Sequence, residues 1–392
     1  MDAKTVSYII NELGEERENY FNAVAPPIIQ SSNFSFNKVD ELRKAFEDES
    51  STYLYSRALN PTVRILSQKL GALDGAEDCL VINSGSGAIF ASVLSNIKSG
   101  DHIISVDKPY TWAQKLFNNL LPRFNITVTY IDGTRIENFE NAIQHNTSLI
   151  YLESPNSWNF ALQDLEAVAK LAKSKKIVTI CDNSYCTPLY QNPIALGIDL
   201  SVQSATKYIN GHSDVVAGVI SGNKKMIQKI YYSEYMNMGI STTPFNAWLL
   251  IRGLRTLPVR LEKITKSTKE VLNYLKGHEK VDKIIFPFDK DFPQYDLAKK
   301  QMKNACGLFS FYIKAKNISE IEKFCESLNH ILMAVSWGGY ESLIIPGCAS
   351  IKEDEFDVNN KDHRRLRMYV GLEEPEYIIA DLERGFKGMG SS

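Results

Sequence analysis

Small and polar residues follow three short apolar runs that the sequence predicts as β-strands. The turn at residues 84–87, Ser-Gly-Ser-Gly, follows the first run, Asp182 follows another, and Lys207 lies just beyond a third. Ligands of open α/β sheets bind beyond the carboxyl ends of the strands, so we expect these residues to lie close together. Taken singly, they would be read as a tight turn, a helix cap and a solvated lysine.

Together the three features match the requirements of one cofactor, pyridoxal phosphate. This cofactor needs a lysine amine for its aldehyde, a carboxylate that keeps its pyridine nitrogen protonated, and donors for its phosphate. We therefore expect Lys207 to hold it as a Schiff base and to act as the catalytic base, with Asp182 at the ring nitrogen. The turn leads into a helix whose free amides suit a phosphate. The predicted phosphate-binding residues are Gly85, Ser86, Ser204 and Thr206.

The pattern of apolar residues predicts an α/β fold with a mostly parallel seven-stranded sheet. Short apolar runs alternate with stretches of helical periodicity, which is typical of strands joined by crossover helices. The predicted strands are residues 79–83, 102–106, 126–131, 148–153, 176–181, 200–204 and 215–221. Asp164 is a predicted N-cap of the helix that follows it.

The chain of 392 residues exceeds the usual size of a single hydrophobic core, so we expect more than one packed unit. Residues 1–60 predict an extended arm with one short helix near 39–49, of a kind that contacts a neighbouring subunit. Residues 61–250 form the predicted cofactor-binding domain. Residues 251–392 form a smaller α/β C-terminal domain, reached through a long helical connector broken near Pro258, with strands expected at 307–313 and 331–337.

The composition favours a small-molecule partner. Forty-four basic residues against 46 acidic ones leave no excess for a nucleic-acid backbone, and no polybasic run indicates a membrane surface. The six cysteines are scattered, without the pairs or density of a metal site or disulfide scaffold. No apolar stretch has the length of a signal peptide core or a membrane span. We expect a cytoplasmic protein that binds no nucleic acid, no membrane and no metal.

Several separate segments, in order along the chain, resemble the Cys/Met-metabolism family of pyridoxal-phosphate enzymes. This family contains the cystathionine β- and γ-lyases, cystathionine γ-synthase and methionine γ-lyase. The most specific segment is the lysine signature Ser-Ala-Thr-Lys-Tyr-Ile-Asn-Gly-His-Ser-Asp at residues 204–214. The other matching segments are residues 55–62, 153–155, 182–183, 252–257 and 366–373. The resemblance implies an aminotransferase-like fold, known as fold type I.

The resemblance also implies roles for residues that spacing alone does not single out. Tyr110 would stack on the cofactor ring and take part in catalysis, and Arg367 would bind the substrate carboxylate as a bidentate fork. Tyr55 and Arg57 would reach the phosphate site of the neighbouring subunit, with Tyr55 also near the substrate. The enzyme would then be a homo-oligomer, usually a tetramer. Without the resemblance, Tyr110 would be a core tyrosine, Arg367 an exposed strand residue, and residues 55–62 a surface loop.

The segment that starts at Ser336 and Trp337 resembles the bacterial cystathionine β-lyases, whereas γ-acting relatives usually have leucine in place of the tryptophan. The resemblance thus implies that Ser336 and Trp337, like Tyr110, line the substrate site. A bulky indole would shorten the substrate pocket, and the alternative for Trp337 is a packing role. We therefore predict β-elimination of L-cystathionine to homocysteine, pyruvate and ammonia in methionine biosynthesis. Asn60-Pro61-Thr62, in contrast, is closer to the γ-acting members.

Three other functions remain open at this point. The main alternative is γ-elimination or γ-replacement, as in cystathionine γ-synthase, cystathionine γ-lyase or methionine γ-lyase. We also expect slow racemisation of alanine as a side reaction, because Lys207 is paired with an electron-sink cofactor and alanine has no leaving group. A non-catalytic binding protein with this fold should lack the catalytic groups, and the sequence contains all of them.

Overall fold

The computed structural model describes residues 1–390 and contains the predicted seven-stranded sheet. Its strands are β1 (Asp78–Ile82), β2 (His102–Val106), β3 (Thr127–Ile131), β4 (Thr147–Glu153), β5 (Val178–Asp182), β6 (Leu200–Ser204) and β7 (Gly218–Gly222). They lie in the order β1-β7-β6-β5-β4-β2-β3, and β7 runs antiparallel to both of its neighbours. The remaining pairs are parallel, which confirms the mostly parallel sheet.

Helices alternate with these strands, as the periodicity predicts. Up to the end of β7 they are α1 (Ala3–Asn11), α2 (Val39–Glu47), α3 (Pro61–Asp74), α4 (Gly85–Leu94), α5 (Thr111–Lys115), α6 (Ile136–Ala142), α7 (Leu165–Lys175) and α8 (Thr187–Tyr190). The carboxylate of Asp164 accepts from the Ala167 amide at 3.1 Å, which confirms it as the N-cap of α7. The crossover helices cover the sheet and bury most of its strands, while the edge strand β3 is only partly buried.

The helices beyond β7 lead into a second sheet. They are α9 (Lys224–Ile230), α10 (Met236–Met238), α11 (Pro244–Arg255), α12 (Leu257–Gly277), α13 (Tyr295–Gln301), α14 (Ile318–Glu326) and α15 (Pro375–Gly388). The predicted break in the connector falls at Thr256, where α11 ends. Pro258 lies in the first turn of α12, where proline is tolerated because that N–H needs no helical partner.

The second sheet has five strands in the order β10-β11-β12-β9-β8. They are β8 (Val281–Ile285), β9 (Leu308–Ile313), β10 (Leu332–Met333), β11 (Leu343–Pro346) and β12 (Arg365–Tyr369). The prediction of a full strand at residues 331–337 is wrong, because only its first part pairs with β11. Ser336 has a φ of 84°, which is incompatible with a regular strand and turns the chain toward the first sheet.

The N-terminal segment differs from the predicted arm with a single helix. It contains α2 at the predicted place, but α1 and a short 3₁₀ turn at Arg17–Tyr20 precede it. A buried ion cluster follows α1, in which Glu15 accepts from Lys69 at 3.0 Å and from Arg255 at 2.8 Å. Lys69 also donates to the carbonyls of Ile9 and Ile10 at the end of α1, so this part of the segment is attached to the main body.

No helix within residues 1–390 is long and apolar enough to cross a membrane.

Candidate active site

Lys207 lies in the turn that follows β6, on the side of the sheet where the parallel strands end. Its backbone amide donates to the Ser204 carbonyl at 3.1 Å, and its amine donates to the hydroxyl of Ser336 from the second sheet. The amine is also 5.4 Å from the centroid of the Trp337 ring. Burial, and then the nearby charge of Arg367, lowers the pKa of Lys207 to about 8. The group therefore loses its proton far more readily than a solvated lysine.

Asp182 is the last residue of β5 and is buried. One of its carboxylate oxygens accepts from the amide of Ser184 at 2.9 Å. Burial raises the pKa of Asp182, while the Ser184 hydrogen bonds and the charge of Lys207 act in the opposite direction. A buried carboxylate of this kind is stabilised in its charged form by a cationic partner, which a protonated pyridine ring would provide.

The phosphate-binding turn predicted after β1 forms the start of α4. The hydroxyl of Ser84 caps this helix by accepting from the Gly87 amide at 3.0 Å. Gly85 packs directly on Ser204, because a Cβ at position 85 would lie 2.9 Å from the Ser204 Cβ. A side chain at Gly85 would fill the space between the helix start and the end of β6. The structure thus brings Gly85, Ser86 and Ser204 to one place.

Thr206 lies beside this place, but its hydroxyl is engaged with the backbone of Ala217. It accepts from the Ala217 amide at 3.0 Å and donates to the Ala217 carbonyl at 3.2 Å. To donate to a phosphate, this hydroxyl would therefore have to give up its hydrogen bond to the Ala217 carbonyl.

Tyr110 directly precedes α5, and its side chain is 38% exposed, so it is not a buried core tyrosine. Its backbone amide donates to the carboxylate of Glu153 at 2.6 Å, and Glu153 also accepts from the Ser157 amide at 2.8 Å. Glu153 pairs with Asp182 across β4 and β5. Burial, and then the charge of Asp182, raises the pKa of Glu153 to about 7.

Arg367 is part of β12 and is only 8% exposed, so it is not an exposed strand arginine. One of its guanidinium nitrogens donates to the Ser157 carbonyl at 3.2 Å. Its Cζ lies 4.2 Å from the centroid of the Trp158 ring. Burial lowers the pKa of Arg367 to about 10, with Glu153 acting in the opposite direction. Arg367, from the second sheet, is close enough to Lys207, in the turn after β6, for its charge to lower the pKa of the lysine.

Trp337 is 7% exposed and packs among aromatic side chains of the core. Its ring centroid lies 5.3 Å from that of Tyr208 and 6.4 Å from that of Tyr185. Among the predicted catalytic residues, Lys207 is the one that the indole contacts. The observed position is compatible with both interpretations, as a wall of the pocket and as a packing residue.

Tyr55 and Arg57 are not joined to these groups within one chain. The guanidinium of Arg57 lies 5.6 Å from the centroid of the Tyr55 ring, and Tyr55 is 47% exposed. Within residues 1–390, neither side chain makes a hydrogen bond or ion pair with Lys207, Asp182 or Arg367. Their assignment to the site of a neighbouring subunit remains a prediction.

Three residues at the site received no role from the sequence: Glu153, Ser157 and Trp158. Glu153 ends a strand next to the one that ends in Asp182, so its position in the predicted sheet was a usable signal. Trp158 contacts Arg367 through a loop, and no spacing in the sequence relates residues that are 209 positions apart.

The residues present fit pyridoxal phosphate. Lys207 offers an amine with a lowered pKa, Asp182 a buried carboxylate, and Gly85 a place where a helix start meets Ser204 without an intervening side chain. The exposed ring of Tyr110 and the buried guanidinium of Arg367 belong to the same region. Site and fold together define a fold type I pyridoxal-phosphate enzyme.

Comparison with known proteins gives the family. The model of the family described as "Cys/Met metabolism PLP-dependent enzyme" matches residues 8–387. The chain therefore belongs to the Cys/Met-metabolism family of pyridoxal-phosphate-dependent enzymes, and its cofactor is pyridoxal 5′-phosphate. This confirms the resemblance found in the sequence.

Individual relatives cover nearly the whole chain. An L-methionine gamma-lyase of Treponema denticola is 36% identical over 94% of this chain and 93% of the relative. An L-alanine/L-glutamate racemase of Wolbachia pipientis is 33% identical over 95% of each. The structure of a cystathionine gamma synthase from Xanthomonas oryzae in complex with aminoacrylate and cysteine has a TM-score of 0.89, 29% identity and 98% coverage of both chains. The family and the methionine gamma-lyase relative support a carbon–sulfur lyase, and none of these three relatives is a cystathionine β-lyase.

Proposed function

We propose that the protein cleaves a carbon–sulfur bond of a sulfur-containing amino acid, with L-cystathionine as the first candidate. The observation that most supports this proposal is the position of the Lys207 amine. Asp182 and Arg367 are close enough to influence its pKa, and the amine donates to the hydroxyl of Ser336. When bound, pyridoxal phosphate supplies an electron sink that makes a proton at the substrate Cα removable.

The residues of this chain then have distinct tasks. Arg367 binds the α-carboxylate and fixes the amino acid in the pocket. Lys207 takes the Cα proton, for which its lowered pKa is suited, because a base must be neutral at the working pH. The buried carboxylate of Asp182 keeps the ring nitrogen of the cofactor charged.

Departure of the sulfur requires a proton at the thiolate. Lys207, protonated after the first step, is one donor for it, and the exposed hydroxyl of Tyr110 is the other. For β-elimination of L-cystathionine the products are homocysteine, pyruvate and ammonia. The indole of Trp337 beside Lys207 supports this reaction, because it limits the room next to the amine.

A second candidate is γ-elimination or γ-replacement, supported by the methionine gamma-lyase and cystathionine gamma synthase among the relatives. This route removes a second proton, at Cβ, and needs room for the base to reach it.

The keto acid formed from L-cystathionine distinguishes the two candidates. The purified protein with pyridoxal phosphate is incubated with the substrate, and pyruvate and 2-oxobutyrate are separated by chromatography. We expect pyruvate as the main product and a shift toward 2-oxobutyrate in Trp337→Leu. Mainly 2-oxobutyrate from the native protein would overturn β-elimination. Absence of both keto acids, with no turnover of methionine or cystine, would overturn carbon–sulfur cleavage.

We propose alanine racemisation as a slow side reaction of the same site, supported by the alanine/glutamate racemase among the relatives. Lys207 returns the proton to one face of Cα, and a hydroxyl such as that of Tyr110 or Tyr55 delivers it to the other. The test is incubation of L-alanine in deuterated water, with Lys207→Ala as the control. Deuterium at Cα without D-alanine would show that the second face is closed and would overturn this reaction.

We further propose that the enzyme is a homo-oligomer, a tetramer composed of two active-site-sharing dimers. The exposed Tyr55 and Arg57 support this arrangement, because each chain leaves them unconnected to its own Lys207. Analytical ultracentrifugation of the holoenzyme gives the mass directly, and a monomer would overturn the proposal.

A further inference from the structure

Arg367 is held by a tryptophan as well as by a hydrogen bond. Its guanidinium lies 4.2 Å from the centroid of the Trp158 ring, and the whole residue is 8% exposed. Its hydrogen bond to protein goes from Nη1 to the Ser157 carbonyl at 3.2 Å. Within residues 1–390, no carboxylate lies at ion-pair distance from it. The Trp158 ring and the Ser157 carbonyl therefore both contact this buried cation.

A second arginine approaches the same indole. Arg365 is two residues before Arg367 on β12, so both side chains leave the same face of the sheet. Its Cζ lies 5.2 Å from the Trp158 centroid, and its guanidinium is paired with Asp362 at 3.3 Å. Two cations on one strand face repel each other. The negative π face of an indole attracts both, which counteracts the repulsion and keeps them in place.

The loop that carries Trp158 is held without help from its indole. The backbone amide of Trp158 donates to Asn156 Oδ1 at 2.9 Å, and its carbonyl accepts from the hydroxyl of Ser310 at 3.3 Å. Asn156 also donates to the Lys108 carbonyl at 2.9 Å. A change of the Trp158 side chain therefore leaves these contacts of the loop available.

We propose that Trp158 is a positioning residue for substrate recognition, which fixes the plane of the Arg367 guanidinium so that its edge meets the α-carboxylate of the amino acid. This inference rests on the proposed role of Arg367. In the proposed arrangement the ring covers one face of the guanidinium and leaves free the N–H groups at its edge, which are the groups that bind a carboxylate in a bidentate way. Loss of the ring frees the guanidinium to rotate, so every ligand with a carboxylate binds more weakly.

The test compares two substitutions that separate aromatic character from bulk. Trp158→Phe keeps an aromatic face, whereas Trp158→Leu keeps an apolar side chain without one. The probes are propionate, which has the carboxylate alone, and 1-aminopropane, which has the amine alone. Both are measured as competitive inhibitors of the holoenzyme, and propionate binding is repeated by calorimetry.

We expect Trp158→Leu to weaken propionate binding about 3- to 10-fold and Trp158→Phe to weaken it less, because the aromatic attraction is partly kept. Binding of 1-aminopropane should not change. KM for the amino-acid substrate should rise by the same factor, with little change of kcat. The matched control is Tyr295→Leu, measured with the same probes. This substitution removes a different cation–π contact, in which Lys299 on α13 lies 5.8 Å from the Tyr295 ring centroid.

Equal effects of Trp158→Leu and Trp158→Phe would show that the indole acts only through its bulk and would overturn the inference. Parallel weakening of both probes would do the same, because it would indicate general damage to the site. Arg367→Ala tests the underlying assignment separately. If it leaves propionate binding unchanged, the proposed role of Arg367 fails. If it weakens propionate binding while Trp158→Leu does not, only the role of Trp158 fails.

Discussion

The proposed cofactor side and the proposed substrate side of this site are constructed in different ways. On the cofactor side, Asp182, Ser204 and Lys207 stand at or just beyond the ends of the adjacent strands β5 and β6. On the substrate side, Arg367 comes from the second sheet. The side chains that contact it or Lys207 there, Trp158 and Ser336, belong to loops far apart in the chain.

On one side, hydrogen bonds of the backbone determine where the residues lie. On the other side, the packing of the two sheets determines it. Hydrogen bonds between parallel strands hold the strand ends in register, so residues at those ends meet whatever their side chains are. Arg367 reaches the site only because the second sheet packs against the first. We therefore expect substitutions on the cofactor side to abolish the chemistry, and substitutions on the substrate side to change affinity and specificity.

The largest effect should come from Lys207→Ala, which removes both the covalent anchor and the base. Nearly all turnover should be lost, together with the visible absorption of the covalently bound cofactor. Absorption spectra and the keto-acid assay measure the two effects. A variant that still eliminates at the native rate would contradict the assignment of the cofactor side.

Arg367→Ala should have a smaller effect, confined to ligand affinity. Loss of a charge-assisted bidentate contact should raise KM for every amino-acid substrate by about 10- to 100-fold. Arg367→Lys should restore only part of the affinity, because an ammonium group lacks the planar fork. Steady-state kinetics with two different substrates measure this. An unchanged KM would place the carboxylate elsewhere and weaken the contrast between the two sides.

A mixing experiment tests whether the cofactor side is completed by a second chain. If Arg57 and Lys207 serve one site from different subunits, inactive Arg57→Ala and Lys207→Ala proteins should regain activity when refolded together. Random pairing into two-fold dimers predicts about a quarter of the native activity. Mass spectrometry verifies that mixed assemblies formed. No recovery despite verified mixing would contradict the shared site.

The smallest effect concerns pH and attachment of the cofactor to the apoprotein. Only the neutral amine of Lys207 attacks the aldehyde, and burial lowers the pKa of this amine to about 8. The attachment rate should therefore rise with pH and level off above a midpoint near 8, which stopped-flow absorbance can follow. Arg367→Ala removes a positive charge near the amine, so its midpoint should move upward. A midpoint above 10 in the native apoprotein would contradict the lowered pKa.

Most of the first sheet could be predicted because its strands are short, apolar and bounded by turns. All seven were predicted within a few residues of their observed ends, and the buried parallel strands among them leave continuous apolar runs. The second sheet was harder. Residues 331–337 are apolar enough for a strand, but Ser336 has a positive φ that ends regular strand geometry, and its hydroxyl accepts from the Lys207 amine. Helix α1 was missed because a short helix depends on tertiary contacts, here the ion cluster around Glu15.

The sequence by itself predicted that Asp182, Ser204 and Lys207 lie close together, because residues at the ends of neighbouring parallel strands meet at the same edge of the sheet. The resemblance in its motifs added Tyr110 and Arg367, without showing what holds them. Only the tertiary structure decided that Glu153 accepts from the amide of Tyr110, that the Trp158 ring lies against the Arg367 guanidinium, and that Trp337 packs near Tyr185 and Tyr208. These contacts join loops and sheets far apart in the chain. They depend on how the two sheets pack, which no local pattern of residues specifies.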